Sequence, residues 1–312
     1  MKPVDLILCR QIKEKLVSFE ADIRALPGIH PPLFLECLVE QIVDSIRRIK
    51  YVTLIRDKPM GRIYTDASNP SFDPFRAASF YRQNRNINEA FWLVFLGTHF
   101  GKNKKSKWNL VREIYRGLGH SAFWDWQATT SDFNGFRQWL NTNQTYLKNS
   151  GSFGNHRKYQ SLDAFSSTGT GSAIGTYIDW VGPTFDHLTK ITNIIQNISS
   201  SSRRSFDDLY KSMQSVVSFG RTAKFDYLTM IGKLGLVDIE PGSTYMNEAT
   251  GPKRGARLLF GGNIEANLNE TDLNNWLYEL EAHLNVYFGM QVLEDALCNW
   301  QKSPHQYLNF AG

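Results

Sequence analysis

Cysteine is scarce in this sequence, with three residues among 312: Cys9, Cys37 and Cys298. They are odd in number and far apart, so we expect no disulfide framework and predict a reducing cytoplasm as the compartment. Three thiols are also too few for the four thiolates of an iron–sulfur cluster. The seven histidines include no close pair such as His-x-x-x-His. We therefore predict no structural zinc site and no cofactor.

Long apolar runs are missing as well, and none approaches the roughly 20 residues that a membrane-spanning helix needs. The apolar patch over residues 1–10 is short, and residues 11–16 continue it at helical spacing. This pattern predicts an amphipathic helix and not a signal peptide. Alternating apolar and polar residues are rare, which argues against β-strands. The sequence therefore predicts a mainly α protein that does not enter a membrane.

Apolar and aromatic residues are plentiful, at 42% and 13% of the chain. This is enough for a large core, in a single domain over residues 1–312 or in two closely packed helical lobes. The polar run at 199–205 predicts a surface loop and a lobe boundary near residue 200. Basic residues number 35 against 30 acidic ones, for a net charge of +5. That excess permits nucleic-acid binding, although many soluble enzymes share it.

Periodic apolar residues predict helices at 4–25, 33–54 and 222–234. Residues 89–100 are almost wholly apolar, which predicts a central helix buried on all sides. Asp73 directly precedes a proline, an arrangement typical of a helix N-cap.

The stretch 219–260 places two acids, Asp238 and Glu240, between the helix at 222–234 and a basic segment at 251–257. We interpret that segment as a flexible loop. Acids beside a basic loop suit chemistry on a polyanion, because cations hold phosphates while a carboxylate acts on the group they position. A core helix followed by a solvated loop fits the same residues. The cations expected to contact DNA here are Lys253, Arg254 and Arg257.

A second basic cluster follows Gly101, with four lysines at 102, 104, 105 and 107 just before another helix. Lysines at such a place can bind backbone phosphates, and we expect Lys102 and Lys104 to do so. An ordinary solvated loop would look the same.

Residues 149–162 combine glycines with hydrogen-bond donors and an aromatic ring. A flipped nucleotide could be held here, with phosphates on Arg157 and Lys158, the base edge on Asn155 or His156, and stacking on Tyr159. A capped turn before a helix is the alternative. The glycine-rich segment 166–176 could cradle a phosphate through its amides, but it lacks the Gly-Lys-Ser/Thr ending of a nucleotide-binding loop.

The run Gly220-Arg221-Thr222-Ala223-Lys224 resembles the Gly-Arg-Lys-Thr-Ala run that leaves the hairpin of helix-hairpin-helix DNA glycosylases. In those enzymes a catalytic Asp follows about one helix later, where Asp238 and Glu240 stand here. Asp226 lies inside the matching segment. The resemblance implies that one of these acids is catalytic, with Asp238 ranked first, and that Arg221 contacts DNA. Thr222 stands where some members carry a catalytic Lys.

Longer segments resemble the α-glutamyl/putrescinyl thymine pyrophosphorylase family, its third clade in particular, which is associated with hypermodified DNA bases. The resemblance rests on Glu89–Lys102, Phe153–Leu162, Ala249–Gly262 and Glu294–Ser303, with support from Leu38–Val52 and Phe72–Ala78. It implies a fold like that of the helix-hairpin-helix glycosylases. It also places Glu89 with Asn155, His156 and Tyr159 in the base pocket.

The resemblance implies a DNA glycosylase that excises a hypermodified pyrimidine from phage DNA in anti-phage defence. The base would be one such as α-glucosyl-hydroxymethylcytosine, and its loss leaves an abasic site. Two alternatives stay open. One is a transferase that replaces pyrophosphate on a 5-methyl-modified thymine with an amino acid or polyamine. The other is a non-catalytic sensor of modified DNA. The expected partner is double-stranded DNA carrying hypermodified bases, bound by a monomer.

Overall fold

The computed structural model describes residues 3–119, 123–195 and 201–309, and within these ranges the chain forms fourteen α-helices and no β-strand. The helices are α1 (Pro3–Asp22), α2 (Pro32–Asp57), α3 (Pro74–Gln83), α4 (Ile87–Phe100), α5 (Asn109–Tyr115), α6 (Trp126–Ser131), α7 (Phe133–Ser150), α8 (Thr170–Val181), α9 (His187–Ile194), α10 (Ser202–Ser212), α11 (Arg221–Lys233), α12 (Thr250–Gly261), α13 (Glu270–Leu284) and α14 (Gly289–Trp300). The mainly α class is confirmed. None of the helices in these ranges has the length and apolar character that a membrane crossing requires.

The chain divides into two units, one formed by Met1–Val52 with Pro241–Phe310 and the other by Thr53–Glu240. Helix α2 begins in the first unit and ends in the second. The sequence predicted a lobe boundary near residue 200, and residues 196–200 lie outside the described residues. The polar run beside it is not all loop, because the Ser201 side chain accepts a hydrogen bond from Arg204 N and caps α10.

The first unit encloses an apolar core to which α1, α2, α12, α13 and α14 contribute. Helix α12 occupies the segment that the sequence predicted to be a flexible basic loop, so that prediction was wrong. Its glycines serve close packing and not flexibility. A Cβ on Gly255 would lie 2.3 Å from the Leu297 carbonyl oxygen, and one on Gly251 would lie 2.6 Å from Cys298 Sγ. The glycines at 251 and 255 therefore form the face on which α14 packs.

The second unit is built around α4, which is buried from Glu89 to Phe100 as predicted. Its neighbours include α3, α5, α6, α9 and α11. Asp73 caps α3 through bonds from Phe75 N and Arg76 N at 3.0 and 3.1 Å, which confirms the predicted N-cap. The helix predicted at 222–234 is also present, as α11.

The glycine-rich segment 166–176 opens α8 and packs tightly on the preceding turn. A Cβ on Gly169 would lie 2.3 Å from the Asp163 carbonyl oxygen, and one on Gly171 would lie 2.0 Å from that of Ala164. As in α12, these glycines allow backbone segments to touch.

Candidate functional site

The C-terminal end of α4 brings together two segments that are far apart in sequence. Gly101 ends the helix with φ 67°, a conformation that suits glycine, and turns the chain away. Gly154 N donates to the Phe100 carbonyl oxygen at 2.8 Å, and a Cβ on Gly154 would lie 2.9 Å from the carbonyl carbon of Gly101. The segment before Arg157 therefore lies directly on the end of the central helix.

Arg157 is buried and joins α4 to α11. Its Nε donates to the Thr98 carbonyl oxygen at 2.8 Å, and its Nη2 donates to Asp226 Oδ2 at 2.8 Å. The side chain of Arg157 is 7% exposed, whereas that of Asp226 is 46% exposed. A buried guanidinium needs such partners, because an unpaired charge in the interior is costly. Asp226 is therefore a carboxylate that Arg157 holds on its buried side and that solvent reaches on the other side.

His99 lies next to this pair but is fully buried. The Thr170 hydroxyl donates to the Ser161 carbonyl oxygen at 2.7 Å, so His99 Nε2, 3.1 Å away, must donate to that hydroxyl. Burial, and secondarily the charge of Arg157, lowers the pKa of His99 to about 3. A neutral, enclosed imidazole of this kind holds the end of α4 against α8 and does not reach a substrate.

The remaining residues of the predicted nucleotide-binding segment lie at the surface. Asn155, His156 and Lys158 are exposed, and Tyr159 is 89% exposed with Lys158 Nζ 5.0 Å from its ring centroid. They flank Arg157 along the chain. The structure thus places three of the four residues predicted for the base pocket beside the Arg157–Asp226 pair, on an open surface.

The lysine cluster lies against the same segment. Asn103 Nδ2 donates to the Phe153 carbonyl oxygen at 2.9 Å, and Lys102 and Lys104 are exposed on the loop that Asn103 anchors. Arg221 begins α11 one turn before Asp226, with its guanidinium 5.2 Å from the Phe225 ring centroid. Five of the eight predicted DNA-binding cations therefore belong to the elements that meet at this site: Lys102, Lys104, Arg157, Lys158 and Arg221.

The other three cations, Lys253, Arg254 and Arg257, lie on α12 in the first unit. Lys253 forms an ion pair with Glu270, and Arg254 Nη2 lies 3.1 Å from Glu265 Oε1. These acids partly neutralise the basic segment that the sequence analysis singled out.

Asp238 and Glu240 lie beyond the C-terminal end of α11, whereas Asp226 lies near its start. Glu240 pairs with Arg203 at 3.1 Å. Asp238 is exposed and makes no hydrogen bond or ion pair with any residue that the structure describes. Of the three acids, Asp226 is the one held beside the predicted base- and phosphate-binding segment.

Glu89 lies at the opposite end of α4, roughly 15 Å from His99 at a rise of about 1.5 Å per residue. It is buried, and its carboxylate accepts from Tyr115 Oη at 2.7 Å and from Trp126 N at 2.8 Å. Burial raises the pKa of the Glu89 carboxyl to about 7, although both hydrogen bonds oppose the rise.

Tyr115, which donates to Glu89, lines an open cleft of about 660 Å³, and Tyr81 and Asp125 also line it. Nothing in the sequence indicated these three residues. They come from different elements, and no spacing along the chain signals that they meet. Across the described ranges, no group of three or more His, Cys, Asp or Glu side chains is placed to hold a metal ion.

Comparison with known proteins finds a matching family model, whereas no curated protein or solved structure matches the chain. The matching family model, alpha-glutamyl/putrescinyl thymine pyrophosphorylase clade 3, aligns with residues 34–312. The match includes every candidate residue described above. Its name associates the family with enzymes of modified thymine. The chain belongs to clade 3 of the α-glutamyl/putrescinyl thymine pyrophosphorylase family.

Proposed function

We propose that this protein is a DNA glycosylase that excises a hypermodified pyrimidine, such as α-glucosyl-hydroxymethylcytosine, from phage DNA in anti-phage defence. The observation that carries the proposal is the Asp226 carboxylate, held at 2.8 Å by the buried Arg157 and half open to solvent. The surrounding lysines and arginines supply the positive charge that a DNA backbone requires.

In this proposal, Asp226 stabilises the positive charge that develops on the deoxyribose as the base departs. A fixed carboxylate suits that task, because it need not reorganise when the charge appears. The target nucleotide must first leave the stack, and the exposed Tyr159 ring and the amide of Asn155 offer stacking and base-edge contacts. Water then completes hydrolysis and leaves an abasic site.

The family name favours a second candidate, a transferase that displaces pyrophosphate from a modified thymine. That reaction needs cations available for the departing pyrophosphate. Arg157 is already paired with Asp226, Lys253 with Glu270, and Arg254 with Glu265. Of these three pairings, the one at the Asp226 site is that of Arg157, and it favours the glycosylase there because it leaves this guanidinium less available to a pyrophosphate. A sensor that binds modified DNA without reacting is the third candidate.

The test is single-turnover base release from modified duplex DNA by wild-type protein and by Asp226→Asn. Loss of the charge is expected to slow release roughly 100- to 1,000-fold. Asp238→Asn is the matched control, because it makes the same change on an exposed acid that pairs with none of the described residues. Melting temperature and DNA affinity of each variant show that folding and binding persist.

Mass spectrometry of the products separates the three candidates. A free base with an abasic site identifies a glycosylase, and a base that has exchanged pyrophosphate for an amine identifies a transferase. Bound but unchanged DNA identifies a sensor. If Asp226→Asn releases base at the wild-type rate while folded and bound, the assignment of the carboxylate is wrong.

A further inference from the structure

A second cleft, of about 340 Å³, opens beside the lysine loop and lies entirely within the second unit. Four cationic side chains line it: Arg76, Lys102, Lys107 and Arg112. Two aromatic residues, Tyr64 and Trp108, also line the cleft. The sequence did not indicate the cleft, Arg76 or Arg112, because the four cations come from three separate places in the chain: α3, the lysine turn and α5.

Among the described residues that line the cleft, Asp73 is the one carboxylate, and its oxygens are already engaged. Oδ1 accepts from two backbone N–H groups at the start of α3, and Oδ2 accepts from Trp108 Nε1 at 3.0 Å. Arg112 pairs with Glu113 at 3.1 Å, but Glu113 is shared with Arg116 at 2.7 Å. Positive charge therefore exceeds negative charge in the cleft.

The aromatic rings hold two of these cations at the wall. Lys102 Nζ lies 5.6 Å from the Trp108 ring centroid, and the Arg76 guanidinium lies 4.5 Å from that of Tyr64. Lys102 on its aromatic face keeps its charge, unlike a cation neutralised by a carboxylate. It can therefore still attract an anion.

The loop that carries the lysines is a turn held by its own hydrogen bonds. Asn103 and Lys107 exchange backbone hydrogen bonds of 3.1 and 3.0 Å, and the Asn103 side chain accepts from Lys105 N and Ser106 N. Lys102 and Lys107 thus stand at the two ends of a short, fixed turn. Holding them there in advance reduces the entropy lost when an anion binds.

We propose that this cleft is a binding site for a phosphoryl group. Cations from α3, α5 and a fixed turn converge on one small space, which suits a compact, multiply charged oxyanion. The phosphoryl group has two potential sources, the DNA backbone near the target nucleotide and free pyrophosphate. The backbone source rests on the proposed function, since the bond from Asn103 to Phe153 ties this turn to the segment that carries Arg157.

The test compares wild-type protein with the double variant Lys102→Ala/Lys107→Ala. Both side chains are exposed, so folding should persist, and melting temperature checks it. Lys105→Ala is the control for anion binding, because it removes one lysine charge from the same turn without lining the cleft, and the single variant Lys102→Ala is its charge-matched counterpart. Lys102→Ala alone serves if the double variant is unstable.

One arm measures affinity for unmodified duplex DNA over a range of salt concentrations. If a backbone phosphate binds in the cleft, the slope of log Kobs against log salt should be shallower in the double variant than in the wild type. The expected change is about 0.9 for each phosphate that a lysine no longer neutralises. The other arm titrates sodium pyrophosphate into the protein by calorimetry. Free pyrophosphate in the cleft predicts binding that is at least about tenfold weaker in the double variant and unchanged in Lys105→Ala.

A change in either arm that exceeds the effect of Lys105→Ala for each charge removed supports the site and identifies the source of the phosphoryl group. If neither the salt slope nor pyrophosphate binding distinguishes the double variant from this control, the proposal is overturned. Neither arm needs turnover, so the result is independent of base release. Loss of base release in Asp226→Asn would still support the proposed function if the cleft proposal failed.

Discussion

Glu89 illustrates how the interior changes a single side chain. At the first turn of α4 it would ordinarily serve the helix dipole in its charged form. Here burial raises the pKa of its carboxyl to about 7, and its two oxygens accept from Tyr115 and the Trp126 backbone. Its effect on stability therefore depends on pH.

We expect wild-type stability to fall as the pH rises from about 4.5 to about 7, relative to Glu89→Gln. The folded state keeps a proton on Glu89 over this window that the unfolded state releases, so raising the pH favours unfolding. The difference should reach on the order of 3 kcal/mol, because the pKa rises from 4.5 to about 7 at about 1.4 kcal/mol per pKa unit. Urea unfolding of both proteins at pH 5, 6, 7 and 8 measures it. Parallel pH profiles would contradict the burial argument.

Arg157 and Asp226 show a different use of burial. The arginine is enclosed and bonded to the end of α4, while the acid remains half exposed. The sequence analysis assigned Arg157 to phosphate and ranked Asp238 above Asp226. The pairing changes our preference, since Arg157 is better placed to orient Asp226 than to bind DNA itself.

At the scale of elements, glycine is the residue type that sequence reasoning misjudged. Glycine suggested a phosphate cradle in 166–176 and a flexible loop in 251–257, and in both segments it begins or lines a helix. The physical reason is that an absent Cβ serves close approach as well as unusual φ angles. Only the packed neighbour, such as α14 beside α12, distinguishes the two uses.

Gly255→Ala provides a test of that packing. In an exposed helix the change would stabilise the protein by up to about 1 kcal/mol. In α12 the added methyl would lie 2.3 Å from the Leu297 carbonyl oxygen. We therefore expect destabilisation of roughly 1–3 kcal/mol, measured by chemical denaturation. Arg254→Ala, on the exposed side of α12, is the control and should change stability little.

At the scale of the whole molecule, the cations predicted to bind DNA belong to two units. Lys102 and Lys104 lie on the turn beside the candidate site, while Lys253 and Arg254 lie on α12 and pair with acids. A cation that is already in an ion pair gains less free energy when it binds a phosphate, because it loses the attraction of its carboxylate partner. The prediction that all of these cations contact DNA stays a prediction.

We expect Lys102→Ala/Lys104→Ala to weaken DNA binding more than Lys253→Ala/Arg254→Ala does. Removing a cation that neutralises one phosphate should make the salt slope shallower by about 0.9, so the first pair should approach a change of about 1.8 and the second should change less. Fluorescence anisotropy on plain duplex over a salt series compares them. A larger effect of the α12 pair would move the interface to the first unit.

We also expect base release to survive treatment with EDTA. The proposed chemistry uses the Asp226 carboxylate and water, and the described parts of the chain offer no cluster of metal-ligating side chains. Base release is assayed before and after dialysis against the chelator. Loss of turnover that a divalent ion restores would favour pyrophosphate chemistry over the glycosylase.

The sequence by itself determined the helical class, the buried central helix and the start of α3. Periodic apolar residues and a capping acid are local signals, and helix formation depends mostly on near neighbours. The sequence also marked most of the segments that carry candidate residues, including those of Arg157 and Asp226. Local pattern could not show which of these segments meet.

Only the tertiary structure decided which side chains act together. Arg157 and Asp226 are 69 residues apart, and Glu89 is 26 residues from Tyr115, so no helical or turn spacing links them. Such pairs form because apolar burial packs α5 and α11 against α4, and the polar groups then satisfy one another at the edges of these contacts. The partner of each charge is therefore a consequence of packing.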